Sequence, residues 1–201
     1  MKKKIVLMAL AIVVSLCSQG QTARQILDKT AAVIGRKGGA QANFKLTGSQ
    51  YGTISGTLAI KGNKFQANTS EAIVWYDGKT QWSYLRKTNE VNVTHPTQAA
   101  QQMAMNPYSF INIYKTGYDA TLSTTGSNHV VHLSAQNKNR TVQELYITIN
   151  RTTHVPSLVK MRNGTNWTTI NISNFKAKNQ SDATFVFRSK DFPHAEVIDL
   201  R

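Results

Sequence analysis

The sequence predicts a mainly β protein, a single antiparallel sheet of ten or eleven short strands that curls on itself and carries two helical insertions. Three observations predict it. Apolar residues recur with a period of two through most of residues 41–187, the spacing of a half-buried strand. Turn chemistry divides these runs, most clearly at Lys61-Gly62-Asn63-Lys64, Asp77-Gly78 and Arg162-Asn163-Gly164. Two stretches, residues 23–35 and 97–114, break the period. Nearly every strand offers one apolar face and one face of Thr, Ser, Asn, Gln and Lys. A sheet that large cannot stay flat, because strand twist makes it curl or close. Its concave side is expected to be lined by Phe, Leu, Ile and Met, with the two helices over the open mouth.

Thr22 and Gln25 form a capping-box pair, and Ala23, Ile26, Leu27, Ala31 and Ile34 follow helical spacing. Residues 23–35 are therefore read as an amphipathic helix stopped by Gly35, Gly38 and Gly39. Strands follow at Phe44–Gly48, at Ile54–Ile60 and around Phe65. Ala72–Tyr76 and Gln81–Leu85 flank Asp77-Gly78 as a hairpin, and Val91 and Val93 close the first group. Thr97 caps a stretch over Gln98–Met105 whose Ala, Gln and Met favour helix over strand. After Asn106-Pro107 come Phe110, Ile111, Ile113 and Tyr114. The period of two then returns at Tyr118–Leu122, Val131 and Leu133, Leu145–Ile149, Leu158–Met161, Ile170 and Ile172, and finally Phe185–Phe187.

The 201 residues are 40% hydrophobic and 17% charged, which excludes a disordered chain. Lys2, Lys3 and Lys4 precede the apolar run Ile5–Leu16, and Ser18-Gln19-Gly20 offers small residues for a cut after Gly20. Residues 1–20 are thus expected to be a secretory signal peptide that is cleaved, leaving residues 21–201 as one soluble domain. The run of about a dozen apolar residues is short of the roughly 20 that a spanning helix needs. Leu16 stands where lipid modification of Cys17 wants a small residue, and cleavage removes the only Cys, so no disulfide framework is possible. The net charge is +14, three units of which leave with the signal. The remaining cations are scattered in pairs such as Arg36-Lys37 and Arg86-Lys87, the arrangement of a solvated face. An exported protein of this kind has no nucleic acid to bind.

No G-x-S-x-G elbow, phosphate loop or H-E-x-x-H occurs. His129 and His132 would pair on a helix, but their Val130-Val131 spacer puts them on a strand, where residues three apart point to opposite faces. His95, His154 and His194 stand alone and read as surface residues. The ten acids are scattered, with no pair placed as the two carboxylates of a glycosidase. The expectation is a protein that is not an enzyme and needs no cofactor.

The helix ending before Ala42-Asn43-Phe44, the strand pair from Gly56-Thr57-Leu58 to Lys64-Phe65, and above all Asp77-Gly78-Lys79-Thr80-Gln81-Trp82-Ser83-Tyr84 resemble the LolA family of periplasmic outer-membrane lipoprotein carriers. Asn106-Pro107 with Phe110, and the closing segments around Ile170, Ile172 and Phe185-Val186-Phe187, fall where that family has its lid-side insertion and last strands. The resemblance implies an incomplete, half-open antiparallel β-barrel covered by the N-terminal helix and a mid-chain helical lid. It implies a hydrophobic cavity for lipoprotein acyl chains, received from an inner-membrane lipoprotein-releasing ABC transporter and passed to an outer-membrane acceptor by a periplasmic monomer. One departure stands out: family members often carry Arg-Pro after the second strand, the Arg holding the lid, and here the turn reads Lys61-Gly62-Asn63-Lys64.

An acyl methylene left in water costs about 0.8 kcal/mol, so a long chain crossing an aqueous gap needs an apolar shelter. Phe44, Leu46, Ile54, Leu58, Phe65, Trp82, Met103 and Phe110 are the residues expected to line that cavity or its lid. The same side chains would also serve to fill a dry core. A second reading makes the scaffold a sensor or interaction domain that binds a protein or another lipid, and no residue constellation argues for a third, a hydrolase.

Overall fold

The computed structural model describes residues 21–49, 52–96 and 113–201. The expected signal peptide, the stretch from Thr97 expected to be helical, Met103 and Phe110 lie outside them. Thr22 caps helix α1 (Ala23–Ile34) as a full capping box: the Gln25 amide donates to Thr22 Oγ1 at 3.2 Å, and the Thr22 amide donates to Gln25 Oε1 at 2.9 Å. Ala23, Ile26, Leu27, Thr30 and Ile34 form its buried stripe. Thr30 takes a place the spacing gave to Ala31, and its buried hydroxyl finds no partner among the described residues. A hydroxyl left unpaired in that seat costs about 1–3 kcal/mol, so α1 is held less firmly than its apolar stripe alone would hold it.

The helix passes to the sheet through Gly39, whose φ is +90° and where a Cβ would lie 2.3 Å from the Ile60 carbonyl oxygen. Only glycine takes that backbone at that distance. Eleven strands follow, each antiparallel to its neighbours: β1 (Ala40–Gly48), β2 (Gly52–Lys61), β3 (Lys64–Thr69), β4 (Ala72–Tyr76), β5 (Gln81–Leu85), β6 (Glu90–Thr94), β7 (Tyr118–Thr125), β8 (Asn128–Ala135), β9 (Glu144–Asn150), β10 (Pro156–Asn163) and β11 (Asn166–Ala177). A twelfth, β12 (Glu196–Asp199), adds parallel to β6. The order is β12-β6-β5-β4-β3-β2-β1-β11-β10-β9-β8-β7, so among the described residues β12 and β7 are the two edges and the sheet does not close. Where β11 meets β1 an extra residue enters β11, and Asn174 takes φ +52° there, a conformation that Asn tolerates better than most residues.

The expected hairpin around Asp77-Gly78 is present, with Asp77 Oδ1 accepting from the amides of Lys79 and Thr80 at 2.8 Å each. The end of the chain differs from expectation. Phe185 closes a single 3-10 turn (Asp182–Phe185) capped by Ser181, and Phe187 lies beyond it in no strand. Phe187 and Phe192 instead cover the outer face of β4 and β5. Trp75 packs on Phe187 at 5.6 Å and on Phe192 at 5.5 Å between centroids, and Tyr84 meets Phe192 at 4.7 Å. β4 is therefore buried on both faces.

Farther along the outer face, His132 stacks on Tyr146 at 4.2 Å while His129 faces inward, the opposite orientations that strand parity requires. Arg162 holds Glu144 through Nε at 3.1 Å and through its second nitrogen. That hydrogen bonding keeps the Glu144 carboxyl below its usual pKa. A carboxyl depressed in the folded state contributes stability that is present above its unfolded pKa and lost as pH falls through the folded one. The melting temperatures of the wild type and Glu144→Gln are thus expected to differ near pH 7 and to converge on acidification toward pH 3. A gap that stays constant would show that the pair adds nothing.

Candidate functional site

Cross-strand register places the apolar side chains in rows on the face that α1 covers. One row runs Leu122, Val131, Ile147, Val159, Ile170, Leu46, Ile54 across seven strands. At about 4.8 Å per strand its six steps span nearly 30 Å. Its middle is sealed, with Val131, Ile147, Val159 and Ile170 no more than 5% exposed, while Leu122, Leu46 and Ile54 at its two ends are half-buried. Phe44, one row over and paired with Ile172 and Gly56, is also half-buried. A further row, Ala40, Ile60, Phe65, Tyr76, is sealed throughout.

The expected site residues therefore divide. Phe44, Leu46 and Ile54 share the inner face and keep part of their surface accessible. Leu58 and Phe65 share that face but belong to its buried core. Trp82 is a correction: it pairs with Trp75 and Val93 on the outer face, and Gln81 takes the inward position beside Tyr76. The Asp77-Gly78 turn sets this register, so alternation overrides the tendency to place a large aromatic ring inward. Met103 and Phe110 are outside the described residues.

What holds α1 down was not visible in the sequence. Arg24 donates to the carbonyl oxygens of Tyr114 at 2.7 Å and Tyr118 at 2.9 Å, and the Tyr114 hydroxyl donates to Asp28. Burial first, then the hydrogen bond to Asp28, raises the Tyr114 phenol far above its ordinary pKa, so it remains a donor. Arg24 and Asp28, both outside the apolar stripe, thus clamp the helix to the segment that enters β7.

Two hollows adjoin this framework. One of about 600 Å³ lies at the Leu122 end of the long row, lined also by Gln21, Thr124, Ser127, His129, Arg151 and Thr152. Another of about 570 Å³ lies against β1–β3 and the C-terminal segment, and its lining is largely amides and lysines, among them Gln41, Gln66, Lys176 and Gln180. Among the described residues no three His, Cys, Asp or Glu side chains are grouped as metal ligands, and no helix is long and apolar enough to cross a membrane.

Residues 13–165 match the family model described as outer membrane lipoprotein carrier protein LolA. The chain belongs to the LolA family. No curated protein matches the sequence. Among solved structures, the LolA chain is similar to an uncharacterised conserved protein from Thermus thermophilus, with a TM-score of 0.61 and 15% identity over 89% of this chain and 99% of that one. At that identity the likeness shows the fold alone. A LolA superfamily protein from Nitrosomonas europaea gives a TM-score of 0.46 and 11% identity, covering 84% of this chain and 99% of that one. A putative outer membrane lipoprotein-sorting protein domain from Vibrio parahaemolyticus gives 0.41 and 10%, covering 84% and 94%.

The departure from the LolA pattern at the second turn has a structural use of its own. Lys61 Nζ donates to the Gln180 carbonyl and to Asp182 at 3.1 Å each, and Lys64 Nζ reaches Asp182 at 3.2 Å. This turn clips the C-terminal segment onto the sheet. The clamp on α1 comes from Arg24 and Asp28, on the helix itself.

Proposed function

We propose that the protein is a periplasmic carrier that shelters the acyl chains of lipoproteins on the inner face of its sheet and conveys them from the inner to the outer membrane. It would receive them from an inner-membrane lipoprotein-releasing ABC transporter and hand them to an outer-membrane acceptor. The observation that supports this reading best is the apolar row from Leu122 to Ile54, sealed under α1 in its middle and accessible at both ends. Membership of the LolA family supports it independently. Phe44, Leu46 and Ile54 are the residues proposed to meet the chain first, with Leu58 and Phe65 as the floor beneath them. Each methylene enclosed saves about 0.8 kcal/mol, so no catalytic group is required for the transfer, only a cover that opens.

Leu46→Glu tests it, because a half-buried position accepts a carboxylate with little loss of fold while the charge spoils an apolar seat. The variant is expected to melt within a few degrees of the wild type and to bind a fluorescent acyl probe at least about tenfold more weakly, with transfer of an acylated lipoprotein between membranes falling in parallel. Unchanged probe affinity and unchanged transfer in a folded variant would sink the reading.

A further inference from the structure

The hollow at the Leu122 end of the long row has a chemistry that an acyl chain does not need. Its rim is built by the β7–β8 turn, which supplies Ser127, and by the β9–β10 turn, which supplies Arg151 and Thr152. His129 forms one wall and is only 9% exposed; its Nδ1 lies 3.2 Å from Thr124 Oγ1, which leaves Nε2 as the ring's second polar atom. Among the described residues the Arg151 guanidinium donates one hydrogen bond, from a terminal nitrogen to the Gly126 carbonyl at 3.3 Å, and forms no ion pair. Its guanidinium carries five N–H donors in a planar fork, so most remain to be used. His154 departs from the expectation of a plain surface residue: it is half-buried at φ +55°, with its buried Nδ1 unpartnered among the described residues.

Arg151, His154 and Lys29 act on His129 as positive neighbours. Burial first, then Arg151, His154 and Lys29, lowers its pKa. Among the described residues no carboxylate lines the hollow. A lowered pKa favours the neutral His129 ring, so Arg151 is the fixed cation of this wall, and its planar fork, with no carboxylate beside it among the described residues, suits a two-oxygen anion. Leu122, on the same wall, opens the apolar row that runs under α1.

We propose that this mouth binds the phosphate or carboxylate head of an acylated ligand, with the chain leading from Leu122 under α1. The placement of the chain rests on the carrier reading above; the anion site at Arg151 and His129 does not.

The test uses three probes on the purified protein: dodecyl phosphate, its neutral counterpart monododecanoylglycerol, and inorganic phosphate alone. Dodecyl phosphate is expected to bind about tenfold more tightly than the neutral lipid, and inorganic phosphate to compete with the former only. Arg151→Gln is expected to remove that preference. Because Arg151 also ties two turns together, Thr152→Glu provides a second route: it places a carboxylate on the exposed rim and should repel the charged probe about tenfold or more. Equal affinity for the charged and neutral lipids in the wild type would overturn the assignment while the carrier reading stands. Binding of phosphate with no binding of either lipid would overturn both the acylated ligand and the carrier reading, leaving an ion site only.

Discussion

Phe65→Ala is expected to lower the free energy of unfolding by about 3–5 kcal/mol, a large part of the roughly 5–15 kcal/mol that a domain of this size commands. Phe65 is 2% exposed, sits in the sealed row between Ile60 and Tyr76, and holds its ring 5.6 Å from that of Tyr76. The cavity left by its removal would lie in the middle of an open sheet, where the strands on either side are fixed by their own ladders and cannot collapse into it. Urea unfolding followed by tryptophan fluorescence measures the loss. A cost under about 1 kcal/mol would mean that the row relaxes, and that Phe65 lines adaptable space instead of a rigid floor. The comparison with Phe44→Ala sharpens this: the half-buried ring should cost less stability and more acyl binding.

Most of this scaffold could be read from residue types. Alternation and turn chemistry located eleven of the twelve strands: most bury one face, so the period of two survives in their side chains, while β4, buried on both faces, is marked by the Asp77-Gly78 hairpin. The capping box and the apolar stripe placed α1 to within one residue of its end. β12 escaped because four residues reading Glu-Val-Ile-Asp, of which Val197 is 50% exposed, carry no alternation to detect. Phe185 and Phe187 suggest a strand because aromatic residues favour strands, yet Phe185 is buried in a 3-10 turn and Phe187 covers the outer side of Trp75. The same missing cover explains Trp82: without knowing that an aromatic layer lies outside β4 and β5, a large ring has nowhere to go but inward. Burial on both faces of one region is a tertiary fact, and the local pattern cannot announce it. The cationic mouth was equally hidden, since Arg151 and His129 lie on separate turns and strands and meet only through the β8–β9 pairing.

Arg24→Ala is expected to loosen α1 and so to change the traffic of ligand more than the fold. Arg24 satisfies two backbone carbonyls at once, at 2.7 and 2.9 Å, and bonds from a charged donor contribute about 1.5–3 kcal/mol each before exposure reduces them. Partial exposure brings the pair to about 2 kcal/mol, and a shift of that size in a closed-to-open balance raises the open fraction by more than about tenfold. The expected result is faster hydrogen exchange across residues 23–34, a melting temperature lower by several degrees, and an acyl probe that enters about tenfold faster. Tyr114→Phe removes the second half of the clamp, the bond to Asp28, and should act in the same direction. Both clamps meet at Tyr114, so the double variant should show less than the sum of the two, as groups sharing a partner do. If probe entry is unaffected although exchange in α1 accelerates, the chain enters by another edge of the sheet, and the Thr30 hydroxyl on the buried side of the helix, without a partner among the described residues, is a defect of packing, not a mark of a cover built to lift.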